Sequence, residues 1–101
     1  MIEIRILTGA RAGQTDRFDK PVIVVGRHAT VDLRFSPEKD LDVSGRHAEI
    51  READGRRTIT DLGSTNGSRV NGVTVQEVVL GPGDRIQLGD TVLVVDTVSQ
   101  A

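Results

Sequence analysis

The sequence contains no cysteine. That excludes a disulfide framework and thiolate chemistry, and it fits a reducing compartment. Aromatic residues are nearly absent, Phe18 and Phe35 being the only ones among Phe, Trp and Tyr. Single-strand nucleic-acid binders usually stack bases on several aromatic rings. The net charge of −2 also lacks the basic excess that a phosphate backbone requires. Both phenylalanines are therefore read as core, and nucleic acid is not expected as a partner. Uninterrupted apolar runs reach four residues, as at Val92-Leu93-Val94-Val95, far short of the ~20 that cross a bilayer as a helix. The opening Met1-Ile2-Glu3-Ile4-Arg5 lacks the basic-then-apolar order of a secretory leader. No membrane span is expected, and a cytoplasmic location is. Two histidines without a cysteine make a poor zinc set, so neither a metal nor a cofactor is expected.

What is present is β-forming. Valine, isoleucine and threonine number 14, 7 and 9, so 30 of 101 residues are β-branched, and 11 glycines punctuate them. No segment sustains a helical period. Ile2, Ile4 and Ile6 alternate with Glu3 and Arg5 as in a half-buried strand, whereas Val22 to Val25 is continuously apolar and predicts a strand covered on both faces. Further strands are predicted over His47–Glu52, Thr58–Thr60, Val73–Leu80, Asp84–Leu88 and Thr91–Val98, with turns at Asp54-Gly55, Gly81-Pro82-Gly83 and Gly89-Asp90. Ser36-Pro37-Glu38-Lys39 suits at most one helical turn. The expected fold is a single all-β domain over residues 1–101. It would be a sandwich of two antiparallel twisted sheets with about 10–11 short strands.

The stretch 61–72 reads Asp-Leu-Gly-Ser-Thr-Asn-Gly-Ser-Arg-Val-Asn-Gly and holds two Asn-Gly pairs, Asn66-Gly67 and Asn71-Gly72. Each predicts a type I′ turn, because both residues accept positive φ. The hydroxyls of Ser64, Thr65 and Ser68 surround the first pair. A rigid turn dense in small hydroxyl and amide donors can hold an oxyanion with fixed dipoles. Two tight turns carrying solvated polar residues are the plain alternative.

Upstream, Gly26-Arg27 closes the valine-rich run and Ser44-Gly45-Arg46-His47 opens the next strand. Gly-Arg after a strand, then Ser-x-x-His, then Asp-Leu-Gly-Ser-Thr-Asn-Gly, then Val-Asn-Gly is an ordered pattern spanning residues 26–72. In this order and spacing the chain resembles forkhead-associated (FHA) domains, bacterial members in particular. Leu80-Gly81-Pro82-Gly83-Asp84-Arg85-Ile86 extends the likeness to nearly the whole length.

The resemblance implies a β-sandwich that binds phosphothreonine peptides through loops at one end, acting in Ser/Thr kinase signalling as a monomeric domain without catalysis. Arg27, Ser44 and Thr65 would then hold the phosphate, and Asn66 the peptide main chain. Gly26, His47, Ser64, Gly67, Asn71 and Gly72 would brace the loops. Arginine suits the first role, since its planar fork matches phosphate oxygens and never deprotonates. Two positions depart from the family's usual pattern. Gly45 stands where relatives place Arg, Lys or Asn, and Arg46, one residue on, would point to the opposite face of a strand and is not expected to substitute for it. Ser68 replaces a commoner threonine. In relatives the loop position of Asp42 can read a peptide side chain three residues after the phosphothreonine. A carboxylate there would disfavour acidic residues, unless Asp42 merely caps a turn.

Two other readings bear weighing. Ser44, His47 and Asp61 supply the side-chain types of a hydrolase triad. A serine three residues before its base at a strand start is poor geometry, and no nucleophile elbow surrounds it. The rival to phosphopeptide binding is a phospho-independent docking domain that meets a folded partner through a sandwich face.

Overall fold

Isoleucine alternating with charge produces the first strand, β1 (Ile2–Ile6), whose three isoleucines are fully buried while Arg5 faces solvent. The computed structural model describes residues 2–81 and 83–97. Pro82 and Val98, which the sequence placed in a turn and in the last strand, lie outside the described residues. The remaining strands are β2 (Thr15–Phe18), β3 (Val22–Gly26), β4 (Leu33–Arg34), β5 (Ala48–Ala53) and β6 (Arg56–Asp61). They continue through β7 (Ser68–Val70), β8 (Val73–Val75), β9 (Glu77–Leu80), β10 (Arg85–Leu88) and β11 (Thr91–Thr97).

These form an all-β sandwich. One sheet has six strands in the order β2-β1-β11-β10-β7-β8, the other five in the order β4-β3-β5-β6-β9. Pairings are antiparallel except that of β3 with β4, which is parallel over two residues. The core between the sheets is aliphatic, built on Ile4, Ile23, Ile50, Ile59, Ile86 and Leu93. Phe35 is buried beside it and Phe18 packs at its edge.

The valine-rich strand differs from its predicted state. Ile23 and Val25 are buried but Val22 and Val24 only half so; a two-layer sandwich gives each sheet one covered face, and β-branching rather than double burial explains the valines. The run predicted over Val73–Leu80 divides at Gln76, where β8 joins one sheet and β9 the other. Gln76 ties that crossover to Asp61 twice, its carbonyl accepting the Asp61 N–H at 2.8 Å and its side-chain Nε2 donating to the Asp61 carbonyl at 3.0 Å. At Ser36–Asp40 a single turn forms as expected, with Ser36 Oγ accepting the Lys39 N–H at 3.1 Å. Asp40, nearly fully buried, accepts the N–H groups of Ala10 and Ser36, each at 3.1 Å, and so pins that turn to the loop after β1.

Candidate functional site

The functional loops leave the five-stranded sheet at the ends of β3 and β6 and before β5. Gly26 terminates β3 where the 44–45 backbone crosses it closely: a Cβ on Gly26 would lie 2.2 Å from the Gly45 carbonyl oxygen. Only glycine permits that approach. With the strands so close, Arg27 N–H donates to Ser44 O at 3.1 Å and His28 N–H to Gly45 O at 2.9 Å. The Arg27 side chain then turns back over the 37–43 loop. Its Nε bonds the Val43 carbonyl, and Nη1 the Pro37 carbonyl at 3.1 Å.

Beneath this, His47 is completely buried. Its Nδ1 accepts the Ser44 N–H at 3.0 Å and its Nε2 lies 2.8 Å from the Gly67 carbonyl. A backbone donor on one nitrogen and an acceptor on the other require the neutral ring with its proton on Nε2. Burial pushes the His47 pKa below the ordinary value; the Gly67 carbonyl and the carboxylates of Asp61 and Asp42 oppose the shift without cancelling it. One imidazole thus spaces the 44–47 loop from the 65–67 loop.

Asp61, at the end of β6, organises the second loop. Oδ1 accepts the hydroxyls of Ser64 at 2.5 Å and Ser68 at 2.7 Å, and Oδ2 accepts the N–H groups of Gly63 and Ser64. Burial, the largest single influence, raises its pKa. The Ser64 and Ser68 hydroxyls, the Ser64 N–H and His47 together outweigh it and hold the carboxyl below the ordinary aspartate value. A carboxylate buried with four donors is satisfied, and the loop is rigid as a consequence.

Between these supports Ser44 Oγ accepts the Thr65 N–H at 3.0 Å, which joins the two loops edge to edge. Asn66 donates through Nδ2 to the Asp42 carbonyl at 2.9 Å. Among the described residues no protein acceptor meets Arg27 Nη2 or the hydroxyl protons of Ser44 and Thr65. One guanidinium and two hydroxyls therefore present uncommitted donors at a single loop junction, held by buried His47 and Asp61. That is the arrangement for a compact oxyanion.

The structure brings together Arg27, Ser44, Thr65 and Asn66, with Gly26, Gly67, Ser64 and His47 in the shell behind them. Asn71 and Gly72 stand apart, in the two-residue hairpin between β7 and β8, where Asn71 bonds Asp84 and Arg85. The Gly81 N–H and Asn71 Nδ2 lower the Asp84 pKa. Only this second Asn-Gly pair has the positive φ at both residues that a type I′ turn needs, 51° and 84°. In the first pair Gly67 alone has positive φ, so Asn66 lies outside such a turn and its amide is turned across to the neighbouring loop.

Asp42 spends its carboxylate on the Asp90 N–H and its carbonyl on Asn66. This is the geometry of a loop tie. It forms one wall of an open polar depression of about 230 Å³ lined also by Asn66, Arg69, Gln87, Gly89 and Asp90. Gly45 is half-buried, and Arg46 sits in a turn before β5 rather than on an extended strand, so the opposite-face expectation does not hold; it is exposed, with Nη2 donating to Thr30 Oγ1 at 3.3 Å. The three side chains of the hydrolase alternative form no relay: both His47 nitrogens are taken by backbone, and Asp61 bonds serines. The sequence reading missed the organising role of Asp61 and the burial of Ser68. Asp-x-x-Ser around a glycine is the local signal that could have found the former.

Comparison with known proteins gives one family. The sequence profile of the FHA domain matches residues 23–89. The glycogen accumulation regulator GarA of Mycolicibacterium smegmatis is 40% identical over 81 residues, which are 80% of this chain and 49% of that protein. The oxoglutarate dehydrogenase inhibitor of Corynebacterium diphtheriae is likewise 40% identical over 81 residues, 80% of this chain and 54% of that one. The chain therefore spans about half the length of these relatives. A structure solved to analyse phosphothreonine-dependent FHA domain interactions superposes with a TM-score of 0.85 at 34% identity, covering 97% of each chain. The FhaA FHA domain, complexed with the intracellular domain of another protein, superposes with a TM-score of 0.82 at 33% identity, covering 94% of this chain and 99% of that one.

Proposed function

The chain belongs to the forkhead-associated family, and on that premise we propose that it is a cytoplasmic, monomeric module that binds phosphothreonine-containing proteins, without catalysis, in Ser/Thr kinase signalling. The observation that carries the reading is the junction where Arg27, Ser44 and Thr65 offer uncommitted donors above a buried, fully bonded support. In this reading those three hold the phosphate and Asn66 grips the peptide main chain. Among the described residues no helix is long and apolar enough to cross a membrane.

A phosphothreonine brings about −1.5 to −2 charges and three acceptor oxygens. Charge-assisted hydrogen bonds contribute roughly 1.5–3 kcal/mol each, and association and peptide ordering remove much of the sum. A net near micromolar, about −8 kcal/mol, suits reversible signalling.

Arg27→Ala tests the assignment. Truncation removes a phosphate cation together with bonds to two loop carbonyls. The expected result is a loss of phosphopeptide affinity of at least about 100-fold with roughly 1–2 kcal/mol of stability lost. Affinity within twofold of wild type would show the phosphate site to be elsewhere. Equal binding of the unphosphorylated twin would favour phospho-independent docking instead.

A further inference from the structure

We infer that His28, Thr30 and Arg46 form an accessory anion-binding bridge on the open side of Gly45, contacting the same phosphate; the inference rests on the reading of these loops as a phosphothreonine site. The segment after β3 runs alongside the 44–45 backbone, its amides bonded to the Ser44 and Gly45 carbonyls. A Cβ built on Gly45 would meet one atom within 4 Å, His28 Cβ at 3.9 Å. Gly45 therefore presents bare backbone beside Ser44, and the side chain flanking that opening is His28.

The three side chains are linked. Thr30 Oγ1 lies 2.7 Å from His28 Nδ1 and accepts from Arg46 Nη2 at 3.3 Å, while the Thr30 N–H also reaches Nδ1 at 3.3 Å. With Nδ1 accepting, the ring proton sits on Nε2, directed away from the bridge. The hydroxyl, accepting from one side and donating to the other, holds a guanidinium and an imidazole donor in fixed relation. All three residues are exposed.

Among the described residues no carboxylate pairs with the cations of this cluster, as none does with Arg34, Arg56, Arg69 or Arg85. Arg11, Arg17, Arg51 and Arg57 each pair with a carboxylate. Arg46 and His28 bond a threonine hydroxyl instead, and Arg27 bonds carbonyls. The carboxylates of the adjoining segments are committed elsewhere, Asp32 to Lys20 and the Val24 N–H, Asp42 to the Asp90 N–H. In a chain of net charge −2, Arg27 over the 37–43 loop and Arg46 with His28 at Thr30 are thus left without a carboxylate partner. A phosphate dianion matches that charge where a single Arg27 would leave one charge unmet.

The test measures binding of a degenerate phosphothreonine peptide pool and its unphosphorylated twin by fluorescence anisotropy, with melting temperatures alongside. His28→Ala and Arg46→Ala should each weaken phosphopeptide binding about 3–10-fold, as expected for exposed charge-assisted contacts. Thr30→Val, which keeps the shape and deletes the hydroxyl, should weaken it about twofold or more by releasing both partners. Melting temperatures should not move, and Arg46→Ala should flatten the salt dependence. If all three variants bind like wild type while Arg27→Ala does not bind, the bridge is overturned and the phosphothreonine site stands. If Arg46→Ala weakens binding but Thr30→Val and His28→Ala do not, the bridge is again overturned. A wild-type domain indifferent to phosphorylation overturns the underlying reading, and the bridge with it.

Discussion

At the residue scale, His47 does the most with the fewest atoms. It donates to Gly67 O and accepts from Ser44 N–H inside a space without water access. His47→Ala leaves both backbone groups unpaired, at a cost of about 1–3 kcal/mol, and a domain of this size loses roughly 4–8 °C of Tm per kcal/mol. Weaker phosphopeptide binding should accompany the lower Tm, since the displaced loops carry Ser44 and Thr65. Calorimetry and anisotropy on one sample check both; lost binding at unchanged Tm would place His47 against ligand.

The same burial sets a pH response. Between the depressed folded value and the ordinary 6.5, the unfolded chain binds a proton at His47 that the folded chain does not, so stability falls as pH drops below about 6.5. Asp61 adds a second loss below its ordinary 3.8, where the unfolded carboxyl protonates before the folded one. Urea unfolding between pH 8 and 5 should show the first decline in wild type and a smaller one in His47→Gln. Identical profiles would remove His47 from the account. The identities of Arg27, Ser44, His47, Thr65 and Asn66 were legible as a pattern in the chain. Their supports were less so, because Asp61 and Ser68 act through burial, and a polar residue's burial has no periodic signature.

At the element scale, the site depends on how closely β3 ends against the loop before β5. Gly26→Ala would drive a methyl into the Gly45 carbonyl, at 2.2 Å. It should lower both Tm and affinity, because Arg27 N–H and His28 N–H lose their register with Ser44 and Gly45. Gly72→Ala is the contrast. It strains the β7–β8 hairpin at φ 84°, about 1–2 kcal/mol for a left-handed residue, and should leave affinity unchanged. Equal effects of the two substitutions on binding would mean that the loops are not separately supported. Alternation made β1 and β10 readable, and Asn71-Gly72 marked its hairpin. The short strands β2, β4 and β7 escaped the reading: β4 has two residues, and β7 hides Ser68 and Val70 inside a motif that reads as turn. Asn66-Gly67 carries the same dipeptide signal as the hairpin. Tertiary bonds, through Asp42 and His47, decide its different conformation.

At the scale of the whole molecule, two aliphatic sheets form a rigid frame and the chemistry stays in loops joined to one another by hydrogen bonds. Ser44 reaches Thr65, Asp42 reaches both Asn66 and Asp90, and Gly89 N–H reaches Gly67 O. Such a preorganised end spends little entropy on closing around a ligand. In the proposed reading its contacts would centre on the phosphate, and the threonine methyl would add about 0.8 kcal/mol if buried, with β-branching reducing the rotamer freedom lost. Phosphothreonine should therefore bind severalfold tighter than phosphoserine in the same peptide. The most direct measurement is binding of a degenerate phosphothreonine peptide pool beside its unphosphorylated twin, using the wild-type domain. Binding in the micromolar range to the phosphorylated pool and none detectable to the twin is the expected result. Equal affinity for the two pools would contradict it.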